Sequence, residues 1–448
     1  MKRFFALLFI VLFLALCLVP SLGLLITGGA EAAANQVLAA KPALQKRDGS
    51  LNTAWLEELA RYVNDRFFLR QEAVTLWARL NAELLSSSVT DQVVLGRDGW
   101  LYFSATLPDY TRTAPMSGRE RWCAARRLWL LQEYVEAQGG QFLFTVAPNK
   151  NSLYDRHMPA LPRGDGPSNA EALAEALSVM GVHYLDLFTV FRAQSEPLYF
   201  PCDSHWTSRG AALAADAILT ALGRESAYFT MDYTDGRHRG DLYEMLYPTG
   251  TETDPDRVPA DGLRFEASSA NPDSISIRTQ SDSGSGTLLM YRDSFGRALY
   301  PYLAATYAES FFSRKNDYDP TLLQSGGTLV IELVERNLRY LLSYAPTLPA
   351  APRDSALADG ARESDTQLEF QLAKGGLEGY NILYGDLNGC TPDEASPIYI
   401  DTVLGLFEAL PGAEDFSLCL PEEAAEGPIR VLLCEKGEWL SLAGVPAP

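Results

Sequence analysis

The sequence predicts an α/β domain built on a mostly parallel sheet, followed by a small C-terminal β-sandwich and preceded by one long apolar helix. Three observations carry this reading. Between Trp55 and Leu342 short apolar runs alternate with amphipathic stretches, the pattern of strand and helix units packed in three layers. From Thr366 onward the runs are short, mix apolar with polar residues and are divided by turn residues, as in antiparallel sandwiches. Between the two regions, Pro346 to Asp365 is rich in Pro, Ala and Asp, a linker composition. The expected division is 1–30, 31–347, a linker at 348–365, and 366–448.

Met1-Lys2-Arg3 opens the chain, and an apolar run continues from Phe4 to about Thr27. At ~1.5 Å per residue such a run crosses a hydrocarbon core of ~30 Å. The basic start sets the N-terminus in the cytoplasm and the remainder outside. An uncleaved signal anchor is favoured by the length of the run. Ala30-Glu31-Ala32 offers the small-x-small site that would instead make it a removable signal peptide and the protein secreted. Either way the working domain is expected to be extracytoplasmic.

The chain has 448 residues, of which 47% are hydrophobic, enough for a sizeable core. A net charge of −20 argues against phosphate-backbone binding, so no nucleic-acid partner is expected. Six cysteines occur without a C-x-x-C pair, which argues against zinc and thioredoxin-like chemistry. No metal or cofactor is expected. Cys419 and Cys434, flanking a hairpin, are the best candidates for a disulfide.

Apolar spacing marks two helices between Trp55 and Leu85, hinged at Arg66-Phe67-Phe68-Leu69-Arg70. A hairpin follows at Val93–Leu95 and Trp100–Phe103, then a helix at about Ser117–Gln138 that stops at Gly139-Gly140 before a strand at Phe142–Val146. A helix is expected at Glu171–Met180 and a strand at Val182–Leu187, with His183 a satisfied core histidine. His157 and His238 sit in polar loop contexts without an assigned role. Between Asp232 and Gly286 periodicity is lost, which reads as an insertion of hairpins and loops, about 232–286, beside the site. Strands at Phe311-Phe312 and Thr328–Val334 complete the sheet. Glu332, Glu335 and Arg336 are expected at the edge facing the cleft.

Two stretches carry the chemistry. PCDSHWTSRGA, Pro201 to Ala211, holds an Asp and a His two residues apart, in a chain with only four histidines. In LLMYRDSFGRALYPYL, Leu288 to Leu303, an apolar strand breaks at Arg292-Asp293-Ser294 and restarts as a helix. A serine at such a turn lies near free backbone N–H groups, which stabilise an oxyanion. The candidate triad is Ser294 as nucleophile, His205 as base and Asp203 as its orienting carboxylate. Taken singly, each short motif is as readily a helix cap or a local hydrogen bond.

DSHWTSRGAALAADAI and YRDSFGRALYPYLA resemble the D-x-H-W-T and D-S-F/Y segments of the AlgX/AlgJ-like alginate O-acetyltransferases and the DHHW proteins. These are circularly permuted members of the SGNH hydrolase superfamily. ANQVLAAKPAL at Ala34–Leu44, VVLGRDGWLYF at Val93–Phe103, TVAPNKNSLY at Thr145–Tyr154 and TLVIELVERNLRYLL at Thr328–Leu342 agree in the same order. The resemblance implies an SGNH-like three-layer sandwich. It also implies an acetyltransferase of a cell-envelope or exported polysaccharide, working through an acyl-enzyme and fed by a membrane-bound O-acyltransferase partner. Two departures stand out: Arg292 replaces the glycine of the G-D-S block, and Ser204 replaces the histidine that directly follows the Asp in D-H-H-W. The remaining oxyanion donors have no secure counterpart, and Asn149, Lys150, Arg292 and Arg336 are the substrate or oxyanion candidates. Lys150 is read equally as an anion-binding group or a solvated loop charge. The alternatives are a carbohydrate acetylesterase, since the same triad serves water, or a non-catalytic polysaccharide-binding scaffold. By the same resemblance the C-terminal module is carbohydrate-binding, with Trp439 or Tyr380 as a sugar platform; a packing module without a ligand is the equal alternative.

Overall fold

A computed structural model describes residues 2–27, 29, 38–375 and 377–446. The Ala30-Glu31-Ala32 site and the start of the Ala34–Leu44 stretch lie outside the described residues. Helix α1 is Lys2–Thr27, long and apolar enough to cross a membrane, with a mean hydropathy of 2.9 over its most apolar window. Helices α2 (Trp55–Arg66) and α3 (Arg70–Leu85) follow, broken at the expected aromatic hinge, where Leu69 adopts a left-handed conformation.

The central sheet has seven strands. They are β1 (Gln141–Ala147), β2 (Tyr184–Leu185), β3 (Glu266–Ala267), β4 (Ser276–Gln280), β5 (Thr287–Tyr291), β6 (Glu309–Ser313) and β7 (Thr328–Val334). Their spatial order is β2-β1-β7-β5-β6-β4-β3. The first five are mutually parallel, and β4 and β3 add an antiparallel edge.

Alternation along the strands sends side chains to two cores. Leu143, Leu288, Met290 and Val330 pack with helices α6 (Ser208–Ala221) and α7 (Gly296–Thr306). Phe142, Phe144, Leu289 and Ile331 pack with α4 (Gly118–Ala137) and α5 (Asn169–Met180). Helices α4 and α5 each begin with a capping box, Ser117 with Glu120 and Ser168 with Glu171, which satisfies the first free N–H groups. The result is the three-layer sandwich. It puts the C-terminal ends of β1, β5 and β7 along one edge, where open α/β sheets bind ligands.

Residues 351–446 form one nine-stranded sheet around its own apolar core, so the two faces of the expected sandwich come from a single curled sheet. The segment expected as linker contributes its edge strand, Ala351–Arg353, paired to Gly405–Glu408. Cys419 and Cys434 are free thiols, a correction to the expected bridge. Ile382 on one neighbouring strand and Trp439 on another are their respective cross-strand partners.

Candidate active site

Strand β5 ends at Tyr291, and the chain turns through Arg292-Asp293-Ser294-Phe295 into α7. Asp293 fixes the turn. Its Oδ1 accepts the Phe295 N–H at 2.9 Å, and its Oδ2 accepts the Val334 N–H at 2.7 Å and the Asn337 amide at 3.2 Å. The serine loop is thereby tied to the end of β7. Glu332 does not face the cleft as expected. It is fully buried, and its Oε2 accepts the Asp293 N–H at 3.3 Å. Burial, reinforced by the charge of Asp293, holds its pKa well above the carboxylate range.

The Asp203–His205 loop is pinned by a backbone bridge between Tyr199 and Trp206. The Trp206 indole is buried, packs edge-on to Phe295 at 4.9 Å, and donates to the Phe295 carbonyl at 3.2 Å. This contact joins the two motif stretches, which lie some ninety residues apart in sequence. Ser294 Oγ lies 2.9 Å from His205 Nε2, and His205 Nδ1 lies 2.7 Å from Asp203 Oδ1. The His205 backbone N–H donates to the same Oδ1 at 2.8 Å. Burial disfavours the imidazolium of His205, but the hydrogen bond and charge of Asp203, with Asp241 adding to them, hold its pKa above the ordinary value. Burial works against the Asp203 carboxylate too, and its two histidine partners more than reverse that, leaving it well below the usual range.

Two partners of Asp203, His238 and Asp241, were given no role by the sequence reading. His238 Nε2 lies 2.7 Å from Asp203 Oδ2, with its ring stacked on Phe200 at 4.2 Å. The Asp241 N–H donates to the same Oδ2 at 2.8 Å, and Asp241 accepts from the Ser204 N–H and hydroxyl. Both residues come from the 232–286 segment, where the strands Tyr233–His238 and Asp254–Pro259 pair and a short helix, Asp241–Leu246, lies between them. The only sequence signal was the H-R-G-D spacing itself, which carries no periodicity. Ligand atoms of Asp203, His205 and Asp241 lie within 4.8 Å of one another, the one such group among the described residues able to hold a cation. Each carboxylate oxygen already accepts hydrogen bonds there, so the cluster is built as a hydrogen-bond relay.

The other candidates separate. Lys150 is neither solvated nor free for substrate. It is buried, and its ammonium donates to the carbonyls of Phe200, Pro201 and Asp203 at 3.0, 2.9 and 2.5 Å. Burial pulls its pKa down to about 8 against the opposing charge of Asp203. Arg292 turns away from the cleft, donating to the Pro272 carbonyl at 2.6 Å and lying over Tyr300. Asn149 stays a candidate: it is buried at the end of β1, and both its amide atoms lack a partner among the described residues. Arg336 lies over the rings of Phe295 and Phe103, 5.6 and 5.4 Å from their centroids, and its charge is felt at His205. Glu335 is buried under the Asn149 N–H and the Ser152 hydroxyl; desolvation raises its pKa to about 7. His183 is exposed and pairs with Glu136, contrary to the core reading, and His157 stacks on Trp100.

Residues 93–280 match a family described as the SGNH hydrolase-like domain of the acetyltransferase AlgX. That range contains Asp203, His205, His238 and Asp241 and ends before Ser294. The chain is 27% identical over 212 residues to the probable alginate O-acetylase AlgJ of Pseudomonas syringae pv. tomato, covering 44% of this chain and 51% of that one. The Pseudomonas putida protein of the same description is 22% identical over 209 residues. The chain thus spans about half the length of the curated relatives it matches. Among solved structures, a DHHW family protein from Eubacterium siraeum aligns with 57% of this chain and 99% of its own at 16% identity and a TM-score of 0.40. Bacillus cereus PatB1 with a sulfonyl adduct aligns with 55% and 95% at 16% identity and a TM-score of 0.42. Over residues 93–280 the chain is thus similar to the SGNH hydrolase-like domain of the acetyltransferase AlgX.

Proposed function

We propose that the protein is an extracytoplasmic O-acetyltransferase of a cell-envelope or exported polysaccharide, held at the cytoplasmic membrane by α1. The observation that carries this reading is the continuous chain from Ser294 Oγ through His205 to Asp203, 2.9 and 2.7 Å per step. His205 accepts the serine proton as Ser294 Oγ attacks an acetyl carbonyl, and Asp203 holds the imidazole with Nδ1–H toward itself and stabilises the imidazolium. The tetrahedral oxyanion is taken by the Asn149 amide, which has no partner among the described residues, and by the Arg336 guanidinium over Phe295. Collapse expels the donor alkoxide, which takes the proton from His205. His205 then deprotonates a sugar hydroxyl, which attacks the acetyl-Ser294 ester and regenerates the serine. The likeness to alginate O-acetylases supports a polysaccharide acceptor; a membrane-bound O-acyltransferase as the acetyl source belongs to the same proposal. The curled C-terminal domain is the part we assign to glycan contact.

The test is acetyl release from p-nitrophenyl acetate by the full chain, alone and with candidate oligosaccharides, beside Ser294→Ala. Ser294-dependent release with acetyl on the sugar by mass spectrometry is expected. Release without sugar product would make it an esterase toward those glycans, and equal rates in the two proteins would overturn the triad.

A further inference from the structure

Among the described residues the outer face of α3 has no partner. Leu76, Trp77, Leu80 and Leu84 are 61, 60, 42 and 76% exposed. At the helical repeat these four and the preceding Leu69 fall within an arc of ~100°, the width of a core-facing stripe. The opposite face is the one that packs on the body, through buried Thr75 and Ala78. A soluble helix of this kind would turn its stripe inward. This one turns it out.

The surroundings indicate what covers it. The elbow Phe67-Phe68-Leu69 joins α2 to α3 and lies against α1: the Phe68 N–H donates to the Pro20 carbonyl at 3.1 Å, and Gly23 leaves no room for a side chain beside Phe68. Pro20 lies seventeen residues beyond Arg3, ~26 Å along the helix, close to the far boundary of a hydrocarbon core ~30 Å thick. Arg66 and Arg70 flank the elbow with a positive charge on each side, donating to the Ala39 and Asn64 carbonyls. From Lys41 to Leu85 seven Lys or Arg stand against six Asp or Glu, in a chain whose net charge is −20. An apolar stripe with a tryptophan, basic flanks and a membrane-crossing helix beside it has the composition of an interfacial element.

We propose that the α2–α3 hairpin seats on the outer surface of the lipid bilayer through the Leu69–Leu84 stripe. The inference rests on α1 spanning the membrane and is independent of the triad. It gives α3 a second role, because its inner face holds the segment that carries Asp241. Thr249 donates to Thr75 Oγ1 at 3.0 Å through its N–H, and Arg79 donates to Tyr243 and Glu252 at 3.3 and 3.0 Å. Leu242, Tyr243 and Leu246 share an apolar cluster with Ala78. Lipid on one face of α3 and the Asp203 support on the other would hold the Asp203–His205 loop near the membrane.

The test uses the full chain in vesicles of phosphatidylethanolamine and phosphatidylglycerol, with and without dibrominated phosphatidylcholine as a quencher of tryptophan within the bilayer. Seven tryptophans are present, so Trp77 contributes about one seventh of the emission. The dibrominated lipid is expected to quench about that share of the native emission, and this quenching should be lost in Trp77→Phe and likewise in Leu76→Ser/Leu80→Ser/Leu84→Ser, whose sites are exposed. Equal quenching of the native chain and Trp77→Phe, with the protein retained after alkaline carbonate washing, would overturn the proposal and leave the spanning helix standing. Release by carbonate would overturn both. A detergent-solubilised dimer lost on the triple substitution, with no Trp77 quenching in vesicles, would show that a second copy covers the stripe instead.

Discussion

Asp203 is surrounded by donors: the ring and backbone N–H of His205, His238 Nε2 and the Asp241 N–H. Sharing the carboxylate with His238 draws electron density away from His205, so His238 lowers the basicity of the His205 imidazole while fixing Asp203. Removing it has a definite sign. His205 must be neutral to accept the serine proton, so activity falls as pH drops through its pKa, which already lies above the ordinary value. In His238→Ala that acid limb should move to higher pH, by about half a unit to one unit, as expected for the loss of a competing donor. His238→Gln keeps a donor without a titrating ring and should restore kcat while its limb stays near the native one. A pH profile of His238→Ala superimposing on the native curve would remove His238 from the site. Asp203→Asn should cost far more, on the order of 10⁴ in kcat, by leaving the imidazole in the wrong tautomer.

At the scale of elements, the loop bearing Asp203 and His205 is held from two sides. Beneath it, the Lys150 ammonium gathers the carbonyls of Phe200, Pro201 and Asp203. Lys150→Met keeps the apolar stem and strands those acceptors, and should destabilise by about 3 kcal/mol with a loss of kcat exceeding any change in KM. Urea denaturation beside steady-state kinetics checks both, and an unchanged midpoint would show the brace to be dispensable. Above it, Gly240 touches the loop so closely that an added Cβ would fall 2.1 Å from the Cys202 carbonyl oxygen. Gly240→Ala should displace His238 and Asp241 together, reproducing the His238→Ala pH shift with a larger fall in rate. Glu335 offers a further sign test. Its folded pKa is raised from 4.5 to about 7 by burial, so its contribution to stability is lost as pH rises through that window. Glu335→Gln, which can still accept from Asn149 and Ser152, should be more stable than the native protein at pH 8, by up to about 3 kcal/mol, and no more stable at pH 4.

On the scale of the whole molecule, α4 binds the α/β sandwich to the curled β domain. Arg126 and Arg353 both pair with the buried Glu408 carboxylate, at 2.6 and 2.7 Å, and Arg353 also reaches Glu133. Arg127 donates to the carbonyls of Pro411, Leu341 and Leu342, and Arg119 to that of Ser396. Such an interface makes the two parts one mechanical body rather than beads on a flexible linker. Glu408→Ala leaves two guanidinium groups without their shared carboxylate and should cost about 3–5 kcal/mol. Calorimetry of the native chain should show one transition that Glu408→Ala lowers or splits in two; an unshifted single transition would mean the domains are held by other contacts.

Local sequence determined the strands β1, β5 and β7, the capped helices, the membrane-length helix and the hydrogen-bonded grouping of Ser294, His205 and Asp203. Each of these is written in contiguous periodicity or in a short motif whose residues fix their own surroundings. Tertiary structure alone decided the rest, because the deciding contacts join residues far apart in the chain. His238 and Asp241 meet Asp203 only after an aperiodic segment folds back as a hairpin. Lys150, which composition leaves equally as a solvated charge, is buried because three carbonyls from a loop some fifty residues on converge on it. Arg292 follows a buried strand into the turn, yet its guanidinium bonds to Pro272 and lies over Tyr300. The sign of a charged group's role was settled by desolvation and by its partners, and neither is a property of the local sequence.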